Sequence, residues 1–206
     1  TPRRVGEDGW ELSIKALIDN ADCSHKARFT LIDADGNEKA STIADLRPII
    51  SAKLPVEDPV LWNGRKNPYL YTVRCEIFDS TTQEVTDNID IRTGLREYHI
   101  DSHKGFFLNG EHIKLHGVSR HQDRENMGNA ITEKQHAEDV KIILDVGANS
   151  VRLAHYQQNS YFYDLCDESG LLVWAEVPVI SRFSPKRNEN AEQQLVELIK
   201  QNYNHP

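Results

Sequence analysis

The sequence predicts two architectures in tandem, an antiparallel β-sandwich over residues 1–100 and three strand–helix units of a parallel α/β fold over residues 101–206. Apolar residues recur with a period of two through the first half, the signature of half-buried strands. In the second half strands alternate with segments of helical period, which is the signature of parallel pairing through crossovers. The cluster of Pro48, Pro55, Pro59 and Pro68 marks loops and edge strands within the first half.

In chain order, Trp10, Leu12, Ile14, Ala16 and Ile18 alternate with Glu11, Ser13, Lys15 and Leu17 and predict the first strand. Ala27, Phe29 and Leu31 repeat the pattern, and Asp33-Ala34-Asp35-Gly36-Asn37 supplies residues that accept left-handed backbone angles, so a hairpin follows. Tyr69, Tyr71, Val73, Cys75 and Ile77 form another strand, and Ser80 to Gln83 turn it into Val85, Ile89 and Ile91. Several short strands without helical period read as a sandwich of immunoglobulin type. Polarity rises without periodicity from Leu95 to His103, which places the domain boundary near Ile100. His99, His103 and His112 belong to this linker and the hairpin after it, and are expected to be solvated.

Beyond the boundary, Asn109-Gly110 is a hairpin turn between apolar flanks, and Ile113 to Val118 reads as a strand. Thr132 with Gln135 forms a capping box that opens a helix with Ala137, Val140, Ile143 and Leu144 on one face, ended by Gly147. The unit repeats as a strand over Val151 to His155 and a helix striped by Phe162, Leu165, Cys166 and Ser169 and stopped by Gly170. A third strand over Leu171 to Val177 precedes a helix carrying Ala191, Leu195, Leu198, Ile199 and Asn202. Three units leave two bare sheet edges where a closed barrel needs eight, so the chain is expected to end mid-fold.

Composition narrows the partners. The 206 residues carry 24 Lys and Arg against 32 Asp and Glu, a net charge of -8, with no basic block interleaved with aromatics; this argues against nucleic acid. No run approaches the ~18 apolar residues of a bilayer span, and no secretory h-region follows Thr1-Pro2-Arg3-Arg4, so no membrane partner is expected. Cys23, Cys75 and Cys166 lie far apart without a Cys-x-x-Cys, which implies neither a disulfide framework nor a zinc cluster and leaves the compartment open.

In parallel α/β folds functional residues collect after the carboxyl ends of strands. There stand Arg120, His121, Asp123, Arg124 and Glu125, then Arg152, His155 and Tyr156, then Glu176. Histidines and arginines that donate hydrogen bonds, with carboxylates that accept them, suit a ligand rich in hydroxyl groups. A metal held by His116, His121 and His155 is disfavoured, because no His-Glu-x-x-His or His-x-His spacing supports it. Cys166 falls on the buried stripe of its helix and reads as core.

The motifs Phe107-Leu108-Asn109-Gly110, His116-Gly117-Val118-Ser119-Arg120-His121, Asn149-Ser150-Val151-Arg152-Leu153-Ala154-His155-Tyr156 and Gly170-Leu171-Leu172-Val173-Trp174 resemble those of the family 2 glycoside hydrolases, and within them the β-galactosidases. Pro59-Val60-Leu61-Trp62 and Asn67-Pro68-Tyr69-Leu70-Tyr71 are similar to the sandwich that precedes the family's barrel. The resemblance implies an immunoglobulin-like β-sandwich followed by the first three β/α units of a (β/α)8 TIM barrel that hydrolyses β-glycosides with retention. It implies that no catalytic carboxylate lies within the chain: the acid/base and nucleophilic glutamates are expected beyond Pro206, so the chain alone is expected to be inactive. It makes His121 and His155 substrate-binding, Arg152 a floor residue that orients the nucleophile, and Asp123 and Glu176 supporting residues.

Two departures stand out. Gln157 replaces the family's Pro after His-Tyr, and Leu153 its small residue after Arg. Ile180 and Arg182 stand where the magnesium-using members place ligands, so neither metal nor other cofactor is expected. The implied substrate is a terminal β-D-galactoside or oligosaccharide, and the implied partner the remainder of the parent chain, with room for a homo-oligomer. Another specificity of the family, β-glucuronidase or β-mannosidase, is the alternative, as is a carbohydrate-binding or structural module without catalysis.

Overall fold

A computed structural model describes residues 1–6, 9–180 and 188–206. Strands β1 (Pro2–Val5), β2 (Gly9–Leu17), β3 (His25–Ile32), β4 (Glu38–Asp45), β5 (Ile49–Glu57), β6 (Tyr71–Asp79) and β7 (Val85–Thr93) build the sandwich. One sheet has the order β1-β2-β5 and the other β4-β3-β6-β7, all antiparallel. The alternation in β2 and β3 buries Trp10, Leu12, Ala27, Phe29 and Leu31 against Ile50, Leu54, Val56 and Tyr71. Pro55 is tolerated because β5 is an edge strand, where no further neighbour needs its missing N–H. The Asp33–Asn37 turn is present, with Gly36 at positive φ. Strands β1 and β5 were not predicted. β1 is four residues long with no fully buried side chain, and the prolines flanking and interrupting β5 mask its Ile50, Leu54 and Val56 alternation.

The stretch from Leu95 to His103 is not all linker. β8 (Tyr98–Asp101) pairs with β9 (Gly105–Leu108), which pairs with β10 (Glu111–Ile113) through the Asn109-Gly110 turn, both turn residues having positive φ. β8 evades a periodicity search because its side chains pair across strands on an exposed ribbon: Tyr98 stacks on Phe106 and His99 on Phe107, with ring centroids 5.9 and 4.5 Å apart. His99, His103 and His112 are exposed as expected.

The parallel sheet has the order β11-β12-β13, from β11 (Gly117–Arg120), β12 (Ser150–Leu153) and β13 (Leu172–Ala175). Its first strand therefore begins at Gly117, not Ile113, which belongs to β10. Helix α1 (Glu133–Asp145) opens on the predicted capping box, the Thr132 N–H donating to Gln135 Oε1 at 2.9 Å. Its inward face is His136, Val140 and Ile143, with Leu144 partly buried; Ala137, placed on that face by periodicity, is exposed. Helix α2 (Ser160–Ser169) buries Phe162, Tyr163 and Cys166, and burial pushes the Cys166 thiol up, as suits a core residue. Helix α3 (Asn188–Asn202) buries Leu198 but leaves Leu195 and Ile199 exposed. No helix among the described residues is long and apolar enough to cross a membrane.

Sandwich and α/β units meet at a tight seam. Trp62 is fully buried there, its indole Nε1 donating to the Asp167 carbonyl at 2.9 Å, and Asn109 Nδ2 donates to the Trp62 carbonyl at 3.0 Å. Gly170 caps α2 at φ +70, and a Cβ there would lie 2.2 Å from the Gly64 carbonyl oxygen, so only glycine satisfies both cap and approach. Arg92 pairs with Asp164 at 3.1 Å and with Glu168, while His205 Nδ1 lies 2.5 Å from Asp167 Oδ2.

The seam makes stability pH-dependent. Burial works against the charged ring of His205, but the hydrogen bond and charge of Asp167 outweigh it and hold the ring above its ordinary 6.5. A raised folded-state value means the stabilisation is present below 6.5, down to the pH at which the Asp167 carboxyl, itself pushed up by burial, takes a proton, and is lost as pH rises through the raised His205 value. The melting-temperature difference between the wild type and His205→Gln is therefore expected to be largest on the acid side and to shrink as pH rises. A difference that grows between about pH 6 and about pH 9 would contradict the pairing.

Candidate active site

The pleat decides which strand-end residues meet. In register, Ser119, Arg152 and Trp174 lie side by side on one face of the sheet, and Arg120, Leu153 and Ala175 on the other. Helices α1 and α2 cover the second face, where Val151 and Leu153 are buried; the first is open, with Trp174 68% exposed. Glu176, two residues past Trp174, returns to the open face beside Arg152. Its carboxylate takes the guanidinium side-on, with Arg152 Nε to Oε1 at 2.5 Å and Nη2 to Oε2 at 3.1 Å. His155 Nδ1 lies 3.0 Å from Glu176 Oε2 and 3.1 Å from Arg152 Nη2.

Glu176 can only accept and Arg152 can only donate, so the role of His155 Nδ1 follows its tautomer: Nδ1–H donates to Glu176, or a bare Nδ1 accepts from Arg152 Nη2. In either case Nδ1 is engaged and Nε2 is left for a ligand. The Arg152 guanidinium, and then the His155 ring, hold the Glu176 carboxyl below the usual carboxylate range, so it is ionised at neutral pH. The His121 ring stands edge-on to His155 with centroids 5.3 Å apart, and Tyr156 completes the group 6.5 Å from His121. His121 is exposed and His155 half-buried, and the Ala154–His155 peptide is cis.

Four of the five predicted site residues thus come together, namely His121, His155, Arg152 and Glu176. Asp123 does not: it is exposed, and none of the group's hydrogen bonds or ion pairs reaches it. Glu125 is likewise exposed. Arg124 turns away to pair with Glu138 and Asp139 of α1. Arg120 is buried on the helix face. Gln157, at the family's proline position, accepts from Tyr163 Oη at 2.8 Å and Asn202 Nδ2 at 3.2 Å.

Of the two positions where the magnesium-using members place ligands, Ile180 offers no side-chain ligand atom and Arg182 lies outside the described residues. The described residues whose potential ligand atoms cluster within 4.8 Å are Asp164, Asp167 and His205, on the seam and already engaged with Arg92 and one another.

A sandwich leading into parallel strand–helix units, with histidines, an arginine and a carboxylate grouped at the strand ends, agrees with two family models. The model of glycosyl hydrolases family 2 matches residues 2–96, and that of the family 2 TIM barrel domain matches residues 100–206. The chain belongs to glycosyl hydrolase family 2.

Among family 2 relatives, a β-glucuronidase of Bacteroides fragilis is 45% identical over 162 residues, 74% of this chain and 23% of that protein. A β-galactosidase of Thermoanaerobacter pseudethanolicus is 32% identical over 95% of this chain and 27% of that protein. The chain therefore spans about a quarter of the length of these curated relatives. The crystal structure of an FMN-binding β-glucuronidase from Facaelibacterium prausnitzii L2-6 superposes with a TM-score of 0.93 at 40% identity, covering 100% of this chain and 32% of that one. β11, β12 and β13 are thus the opening strands of a family 2 TIM barrel domain, and the group around Glu176 stands at their carboxyl ends, where barrel enzymes carry their chemistry.

Proposed function

We propose that the protein is a retaining β-glycosidase in which this chain supplies the sandwich and one wall of the glycone pocket. The observation that carries this reading is the pair of histidines on neighbouring strand ends, one held through its Nδ1 by an arginine and the carboxylate that this arginine keeps ionised. His155 Nε2 and the His121 ring engage adjacent hydroxyls of the sugar, and Arg152 and Glu176 hold His155 in place. Arg152 uses its Nε–Nη2 edge on Glu176, so an Nη1–H is left for the nucleophilic carboxylate. The two catalytic glutamates lie outside the chain. They act about 5–5.5 Å apart, one protonating the leaving oxygen and the other attacking the anomeric carbon.

For the glycone we infer a β-D-glucuronide, since the B. fragilis and F. prausnitzii relatives carry that activity in their names at 45% and 40% identity. A β-D-galactoside is the second reading, favoured by Gly117-Val118-Ser119-Arg120-His121 and by the T. pseudethanolicus relative.

The test is turnover by the intact parent protein of nitrophenyl β-D-glucuronide, β-D-galactoside and β-D-mannoside, with the first-formed anomer followed by NMR. The glucuronide is expected to be fastest, the β-anomer to appear first and the 206-residue chain alone to be silent. Faster turnover of the galactoside would select the second reading, and hydrolysis of none would overturn the glycosidase proposal.

A further inference from the structure

Beneath the open face, on the helix side of the same strand ends, lies a buried polar network that the glycosidase reading leaves unused. Arg120 is 6% exposed and Gln158 4%. Arg120 Nη1 donates to Gln158 Oε1, and Gln158 Nε2 donates back to the Arg120 carbonyl at 3.0 Å. The same carbonyl accepts the Ala154 N–H at 2.9 Å. The rest of the guanidinium is spoken for: Nε and Nη2 donate to Asp139 Oδ2 at 3.0 and 2.8 Å, Nη2 also lies 3.0 Å from His136 Nδ1, and the group stacks 3.9 Å above the Phe162 ring.

The position does not call for an arginine. Its register partner is Leu153, whose own partner is Ala175, and an apolar residue would fill the layer without taking a charge out of water. His136 raises the cost further, since among the described residues its buried Nε2 has no hydrogen-bond partner. What an apolar residue cannot do is close a reciprocal bond with Gln158. That bond, with Gln122 N–H to Tyr156 Oη at 3.0 Å and Asn159 N–H to Gln122 Oε1 at 2.7 Å, laces the loop after β11 to the loop after β12. His121 follows Arg120 directly, and His155 precedes Gln158 by three residues. The lacing thus runs between the backbones that carry the two rings.

We propose that Gln158 and Arg120 are positioning residues that set the spacing of His121 and His155, and through it the enzyme's discrimination among sugar hydroxyls. Neither touches the ring face offered to ligand; both act through the loops. The inference rests on the glycosidase reading for its kinetic consequence but not for its geometry. Gln158 is the better target, because Arg120 also anchors α1. Gln158→Met keeps the volume and removes both bonds; Gln158→Glu keeps the acceptor for Arg120 and loses the donor to its carbonyl.

In the intact parent protein, kcat/KM is measured for the preferred glycoside and for analogues each lacking one hydroxyl, at C2, C3 or C4. Gln158→Met is expected to lose about tenfold on the preferred glycoside and less on the analogue whose hydroxyl the histidines hold, so the ratio between them falls. Gln158→Glu should recover part of that ratio, and adding Gln158→Met to His155→Ala should cost less than it does alone. Equal losses on every glycoside, or full additivity with His155→Ala, would overturn the proposal, because a residue serving only the fold lowers all activities together. Should the wild-type protein turn over no glycoside, the glycosidase reading fails by itself. The positioning claim is then decided by the crystal structure of Gln158→Met, where an unchanged His121–His155 separation overturns it and a displaced ring supports it.

Discussion

His155→Ala in the intact enzyme is expected to lower kcat/KM by about 30- to 1000-fold, a barrier increase on the order of 2–4 kcal/mol, with little change in melting temperature. The rate effect follows from the held ring: Nδ1 is engaged by Glu176 and Arg152, so Nε2 faces the ligand. A hydrogen bond held this way strengthens as the sugar flattens toward an oxocarbenium-like transition state, and its loss falls on the barrier. The small stability effect follows from what stays behind. Glu176 keeps its side-on pair with Arg152, so no buried charge is orphaned, and the ring itself is only half-buried. Kinetics and thermal unfolding on one purified variant decide between this and a merely structural histidine: unchanged kcat/KM beside a melting temperature lowered by many degrees would assign His155 to the fold.

Trp62→Ala is expected to be the most damaging single change to stability outside the two cores. Truncating a fully buried tryptophan costs about 3–5 kcal/mol, and here the Asp167 carbonyl also loses its indole donor. For a chain of this size each kcal/mol lowers the melting temperature by about 2–4 °C, so a drop of roughly 6–20 °C is expected. Because Trp62 stands between sandwich and barrel units, the variant should also unfold in two resolved steps where the wild type unfolds in one. A single transition shifted by less than about 3 °C would show that the seam is held by the Arg92 and His205 ion pairs instead.

The division between legible and hidden features follows physical lines. Period-two alternation in β2, β3 and β6, the Asp33–Asn37 and Asn109-Gly110 turns, the Thr132–Gln135 capping box and the Gly147 and Gly170 stops were all readable, since each depends on residues a few positions apart. β8 was not, because its partners are aromatic rings on another strand. His136 is hidden for a related reason: a histidine reads as polar along the helix, and it is buried by distant neighbours, Arg120 of β11 and the rings of Tyr161 and Phe162. The same holds for Gln158, whose neighbours in sequence give no sign of its partner 38 positions earlier.

The sequence by itself determined the two successive architectures, the three strand–helix units, the family motifs and the concentration of His, Arg and Glu after three strand ends. Which of those side chains form a site was decided by the tertiary structure, and the two arginines show why. Arg120 and Arg152 each stand at or near the end of a parallel strand, and nothing local separates them. A strand's side chains alternate between faces, so a start misplaced by one residue exchanges inside for outside. The first barrel strand begins at Gly117, where apolar patterning alone suggested Ile113. With the register set by hydrogen bonds to β12, Arg152 falls on the open face with Glu176 and His155, while Arg120 falls under the helices with Asp139 and Gln158.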